Sequence, residues 1–155
     1  MLARMIANAA ASRLPTEIRP RSFAALMELY EINYIYMRRL VPDLAEGHGA
    51  VEVSFSREGV ALRLEVLERS RYTTTVLLTH RFTSEAGEES VPDLTVRVYH
   101  DARVAEALAS DGRSVRDPAA SLQARWASNR FLNRWLRFSL GEGHAFRLAT
   151  PHQDG

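Results

Sequence analysis

Between Val51 and His100 apolar residues return at every second position in four successive runs, and this alternation restricts the chain more than anything else in it. A period of two is the repeat of a strand with one buried and one open face. Val51, Val53 and Phe55 alternate with Glu52, Ser54 and Ser56. Arg57-Glu58-Gly59 then supplies a short hairpin loop in which glycine can take a positive φ. Val60, Leu62, Leu64 and Val66 return facing inward, with Arg63 and Glu65 outward. A third strand runs from Tyr72 to Phe82, where Thr73, Thr74, Thr75 and Thr79 add β propensity. A polar turn, Ser84 to Ser90, leads to the fourth strand, Leu94 to His100. Consecutive strands joined by short loops form an antiparallel meander, whose apolar face must be covered by helices.

Helical segments flank the strands. Ser22 caps a helix running to about Val41, where Pro42 stops it. Phe23, Leu26, Met27, Tyr30, Tyr34, Met37 and Val41 form one apolar stripe, and Leu29, Ile32, Tyr36 and Leu40 a second. Glu28, Glu31, Arg38 and Arg39 are left as a limited polar face. So wide an arc predicts burial on more than one side, within the fold or in a homodimer through this helix. Asn33 interrupts the arc and, once buried, needs hydrogen-bond partners. After His100 the apolar spacing turns helical at Val104, so a short helix is expected there, capped by Asp101. Ala109 to Asp117 reads as a loop, and Asp117-Pro118 as the N-cap and first position of a last helix. That helix runs from about Leu122 to Leu140, with Leu132, Trp135, Leu136 and Ser139 on one face and Gly141 and Gly143 ending it. The fold class that follows is α+β: a four-stranded antiparallel meander sheet with the N- and C-terminal helices packed on one face. Residues 22–143 make the single domain, 1–21 a loosely ordered extension and 144–155 a tail.

Composition narrows the chemistry. A chain of 155 residues fits one domain, and a net charge of +1 creates no global field toward nucleic acid or membrane. Without cysteine there is no disulfide, thiolate nucleophile or sulfur ligand. All 20 basic residues are arginine, so a Schiff-base lysine, a P-loop lysine and a lysine general base are excluded. The histidines, at 48, 80, 100, 144 and 152, follow no metal-binding spacing. Neither a glycine-rich phosphate loop nor a nucleophile elbow is present. No metal, no cofactor and no catalytic residue is assigned. Nothing approaches the length of a membrane span, and a cytoplasmic location is expected.

Three groups of side chains remain. Tyr99-His100-Asp101 closes the fourth strand, where strand alternation sends Tyr99 and His100 to opposite faces. The outward face carries Arg63, Glu65, Thr73, Thr75, Thr79, Arg81, Thr95, Arg97 and Tyr99, and its arginines and hydroxyls suit an anionic ligand or a protein partner. Arg130, Arg134 and Arg137 form a ridge on the last helix near Trp126 and Trp135. The favoured reading is a binding or adaptor module contacting an anionic ligand or partner through Arg71, Tyr72, Arg97, Tyr99, His100 and Asp101. A nucleotide-handling enzyme would instead use His100 or Asp101 as acid–base groups with Arg97 on phosphate. An RNA-binding module would use the helix ridge, against the near-neutral charge.

Four strings carry a family resemblance: Leu26-Met27-Glu28-Leu29-Tyr30-Glu31-Ile32-Asn33-Tyr34 with Arg38-Arg39-Leu40-Val41-Pro42; Ser70-Arg71-Tyr72-Thr73-Thr74; Val96-Arg97-Val98-Tyr99-His100-Asp101-Ala102 with Val104-Ala105-Glu106; and Asn129-Arg130-Phe131-Leu132 with Trp135-Leu136-Arg137. In this order they resemble the YqiB-like proteins of proteobacteria, a domain of unknown function. The resemblance covers roughly residues 25 to 143 and implies a bacterial cytoplasmic protein. Between Ala109 and Ser128 the chain departs from the family pattern, with a shorter Asp-Gly-Arg-Ser loop.

Overall fold

Ser22 opens the first helix as its N-cap: its backbone is extended and its hydroxyl accepts the Ala25 amide at 3.0 Å. The computed structural model describes residues 22–47, 50–84, 87–108 and 121–147; the extension expected at 1–21, the loop expected over 109–117, the Asp117-Pro118 cap expected after it, and residues 148–155 lie outside them. Helix α1 spans Phe23–Leu40, followed by strands β1 (Val51–Phe55), β2 (Ala61–Arg69), β3 (Thr73–Ser84), β4 (Gly87–Tyr99) and β5 (Val104–Ala107), and by helix α2 (Ser121–Gly141). The strands pair antiparallel in chain order.

The α+β class and the meander agree with the sequence, but the sheet has five strands rather than four. The segment expected to form a short helix after Asp101 is β5, pairing with β4 from Tyr99↔Val104 to Val96↔Ala107. Val104-Ala105-Glu106-Ala107-Leu108 fits either period, and backbone pairing with β4 decides between them. Asp101 therefore caps no helix and sits exposed in the β4–β5 turn. The polar turn expected over Ser84 to Ser90 is shorter, because β3 and β4 stay paired out to Ser84↔Gly87.

One sheet face is covered by the helices. Leu62, Leu64, Val76, Leu78, Val96, Val98, Ala105 and Ala107 line it, against Met37 and Leu40 of α1 and Leu132, Trp135 and Leu136 of α2. The N-terminal half of α1 forms a second cluster, Ala25, Leu26, Leu29 and Tyr30 with Trp126. The wide apolar arc of α1 is thus largely absorbed within the chain, although Phe23 and Ile35 are exposed.

Strand β1 carries its apolar side chains on the open face, the reverse of the simplest reading of its alternation. Val51, Val53 and Phe55 are 46%, 50% and 65% exposed, while Ser54 and Ser56 are buried. Hydrogen bonding accounts for the inversion. Ser54 Oγ accepts the Ala145 amide at 3.1 Å and lies 3.1 Å from His144 Nδ1, and Ser56 Oγ accepts the Val60 amide at 2.9 Å. The partner of Ser56 lies across the β1–β2 turn, and those of Ser54 come from the chain beyond α2. Gly143, at φ 90, turns it back under the sheet, and the Phe146 amide then bonds to the Leu40 carbonyl at 2.8 Å. His144 and Phe146, placed in the tail by the sequence, are buried.

Three asparagines join the layers. Asn33 Nδ2 donates to the Asn129 carbonyl at 3.1 Å, and Asn133 Nδ2 donates to Asn33 Oδ1 at 3.0 Å. Asn129 Oδ1 accepts the Ala107 amide of edge strand β5 at 2.8 Å, and its Nδ2 donates to the Arg125 carbonyl at 2.8 Å. Asn33 thereby finds the partners its burial requires.

His80 lies on the covered face, its ring centre 4.8 Å from that of Trp135 and 5.3 Å from that of His144. Burial first, and His144 second, push it down to about 4 from 6.5. The unfolded chain protonates near the ordinary value, so acid favours unfolding across that window. Stability is complete above about pH 6.5 and falls by up to about 3 kcal/mol as pH drops to 4. His144, also pulled down by burial, adds in the same direction. Thermal melts across this range should show the decline, and His80→Leu should flatten it. A midpoint that does not move with pH would contradict the assignment.

Candidate functional site

The six residues expected to make contacts do not form one site. Arg97 and Tyr99 lie on the open face, where each is already engaged. Arg97 Nε donates to Thr75 Oγ1 at 3.3 Å, and the Tyr99 hydroxyl donates to Glu106 at 2.7 Å. Burial, and then the bond to Glu106, raise the Tyr99 phenol above its ordinary value, with Arg97 opposing. Tyr30 approaches the same carboxylate from α1 and is pushed up to about 12, mainly by burial. Elsewhere on this face Arg63 pairs with Glu65 at 2.9 Å and Thr79 donates to Asp93 at 2.6 Å. Much of the outward face is therefore already paired, across strands at Arg97–Thr75, Tyr99–Glu106 and Thr79–Asp93 and along β2 at Arg63–Glu65.

Arg71 and Tyr72 are exposed in the β2–β3 turn, with the Arg71 guanidinium 5.2 Å from the Tyr72 ring centre. His100 goes to the opposite face from Tyr99, as strand alternation requires. Its Nε2 lies 2.8 Å from Thr74 Oγ1, and its amide bonds to the Tyr72 carbonyl at 2.8 Å. Tyr99 and His100 thus lie on opposite faces, while Asp101, exposed in the turn, is near enough for its charge to act on His100. On the helix ridge, Trp126 and Trp135 are buried in the core and present no stacking surface. Burial and the neighbouring Arg130 lower the Arg134 guanidinium below its usual value.

Unpaired charge gathers elsewhere. A cleft of about 670 Å³ lies between the outer side of α1 and the β4–β5 turn, lined by Glu31, Tyr34, Ile35, Arg38, Arg39, Ala102 and Arg103. A second compartment of about 250 Å³ shares Tyr34, Arg38 and Arg103 with it and includes His100. Arg38 and Arg103 pair with no carboxylate among the described residues. Arg39 lies 5.7 Å from the Tyr36 ring centre. Arg103 has a left-handed backbone at φ 57, held by its amide bonding to the Tyr99 carbonyl at 2.9 Å. This conformation is disfavoured for a residue with a Cβ and costs about 1 kcal/mol. Burial, followed by the charge of Arg69, holds His100 below its ordinary value, with Asp101 opposing.

Of the expected contact residues only His100 lines the second compartment, and none lines the larger cleft. Arg38 and Arg39 read as part of the polar face of α1, and Arg103 falls where a short helix is expected, although Arg38-Arg39 and His100-Asp101-Ala102 belong to strings singled out in the sequence. The signal was their shared placement: the β4–β5 turn brings Arg103 beside the last turns of α1, which no spacing along the chain reveals. No group of three or more metal-ligating side chains occurs among the described residues, and no helix among them is long and apolar enough to cross a membrane.

Comparison with known proteins gives the same picture of kinship. Residues 36–145 match the family model described as a protein of unknown function, DUF1249. The chain is 37% identical over 131 residues to the uncharacterized protein YqiB of Escherichia coli K12, covering 78% of this chain and 90% of that relative. The YqiB proteins of E. coli O6:H1 and O157:H7 match to the same extent. No solved structure matches. The strings shared with YqiB-like proteins and the match over most of the domain lead to one conclusion: the chain belongs to the DUF1249 family.

Proposed function

We propose that the protein is a binding module for small anions, held in the cleft between α1 and the β4–β5 turn. The observation that carries this reading is the convergence of Arg38 and Arg103, neither paired with a described carboxylate, on a common cavity. Guanidinium forks bind phosphate or carboxylate bidentately, and a strained backbone at Arg103 is the kind of cost retained at ligand sites. The outward sheet face, with Arg63 and Arg97 already occupied, serves this role less well. A cytoplasmic setting belongs to the same proposal and follows the family resemblance.

Calorimetric titration with inorganic phosphate tests the location. Arg103→Ala should weaken binding by about tenfold or more, as expected for a charge-assisted contact, while Arg97→Ala should leave it nearly unchanged. The reverse pattern would return the site to the sheet face, and no binding at all would refute the anion role.

A further inference from the structure

We infer that the outer face of α2 is a second binding surface, independent of the cleft, and that its partner is a single-stranded nucleic acid. Helix α2 contains Arg125, Arg130, Arg134 and Arg137 and no aspartate or glutamate. The net charge of +1 conceals this concentration, because every acidic residue lies elsewhere in the chain. Arg130, Arg134 and Arg137 follow one another at four and then three positions, so they stand along one side of the helix, a turn apart. None of the three pairs with a carboxylate among the described residues. Like charges at this spacing destabilise a helix, and burial, followed by the charge of Arg130, holds the Arg134 guanidinium below its usual value. A row of phosphates lying along the three arginines relieves that repulsion and matches the guanidinium fork.

The arginines are held in place rather than extended into water. All three are half-buried, and Nε of Arg130 and of Arg134 is enclosed without a hydrogen-bond partner. Their stems therefore lie against the protein, and the terminal nitrogens are the groups left to donate outward. Phe131 narrows the class of polyanion. With Trp126 and Trp135 buried, it is the exposed ring of this helix, at 40%, and it lies one turn before Arg134. A base stacks on such a ring while its neighbouring phosphates meet the arginines. A duplex keeps its bases inside, out of reach of a ring on a convex helix. An acidic polypeptide chain supplies charge alone, and one exposed ring is too small an apolar face to enter a bilayer.

Fluorescence anisotropy with a short labelled oligouridylate over a salt series tests the surface. Three phosphate contacts predict a slope of log K against log salt of about −2, and Arg134→Gln should reduce its magnitude by about 0.7. Phe131→Ala should weaken binding by about fivefold or more at unchanged slope. The combined change of Arg130, Arg134 and Arg137 to Gln should abolish binding, whereas Arg103→Ala, in the cleft, should leave it intact. Glutamine keeps much of the packed stem, so equal melting midpoints identify the loss as one of contacts. Duplex DNA bound as tightly as the oligouridylate, with Phe131→Ala silent, would overturn the single-stranded partner. Binding that is absent, that survives the triple change, or that goes to phosphatidylglycerol vesicles instead would overturn the surface itself.

Discussion

Asn129→Ala should destabilise the protein by about 3 kcal/mol, lowering the melting midpoint by about 6–12 °C for a domain of this size. The side chain is buried and joins β5 to α2. Its carbonyl oxygen takes the Ala107 amide, and its amide group bonds to the Arg125 carbonyl. Ala107 lies on β5, an edge strand whose outward amides no further strand can receive. Truncation strands that N–H in an interior closed to water, and a buried donor without a partner carries its full desolvation cost. The cavity left by the side chain adds to the loss. Asn33 belongs to the same network through the Asn129 carbonyl, so Asn33→Ala combined with Asn129→Ala should cost less than the sum of the two. Urea unfolding of the two single variants and the double measures both effects. A loss below about 0.5 kcal/mol for Asn129→Ala, typical of a surface change, would show that the bond to Ala107 is dispensable.

Arg103→Gly should separate stability from binding. Glycine reaches a left-handed conformation without the clash a Cβ suffers, so removing the arginine at φ 57 should stabilise the fold by about 0.5–1 kcal/mol. The same change removes one of the two guanidinium groups between the compartments and should weaken phosphate binding by about tenfold or more. Arg38→Ala should match the loss of affinity without the gain in stability, because its helical backbone holds no strain. Salt should weaken the wild-type affinity, as the cleft is open to solvent and its charges are screened. Melting midpoints and phosphate titrations on the same preparations decide the matter. A loss of stability in Arg103→Gly comparable to that in Arg103→Ala would mean that the turn is not strained.

The strands and the flanking helices were legible because periodicity records burial. Leu62, Leu64, Val76, Leu78, Val96 and Val98 are the covered face in the structure, and Ser22 and Asn33 behave as a cap and a buried polar residue must. Two misreadings have physical causes. In β5 the run Val104 to Leu108 is too short to separate a period of two from one of 3.6, and its alanines carry weak strand propensity. In β1 the alternation was visible but its direction was not, because Ser54 and Ser56 are drawn inward by hydrogen bonds to residues far along the chain or across a turn. The cleft was less legible than the fold. Arg38 and Arg103 are 65 positions apart, and only the return of β4 through a tight turn places them on one cavity.

The most direct test of the anion site is residue-level mapping by two-dimensional NMR during titration with inorganic phosphate. The account predicts saturable shifts in the backbone amides of Arg38, Arg39, His100 and Arg103, lost in Arg103→Ala. Shifts centred on Arg63, Arg97 and Tyr99, or none at all, would contradict it.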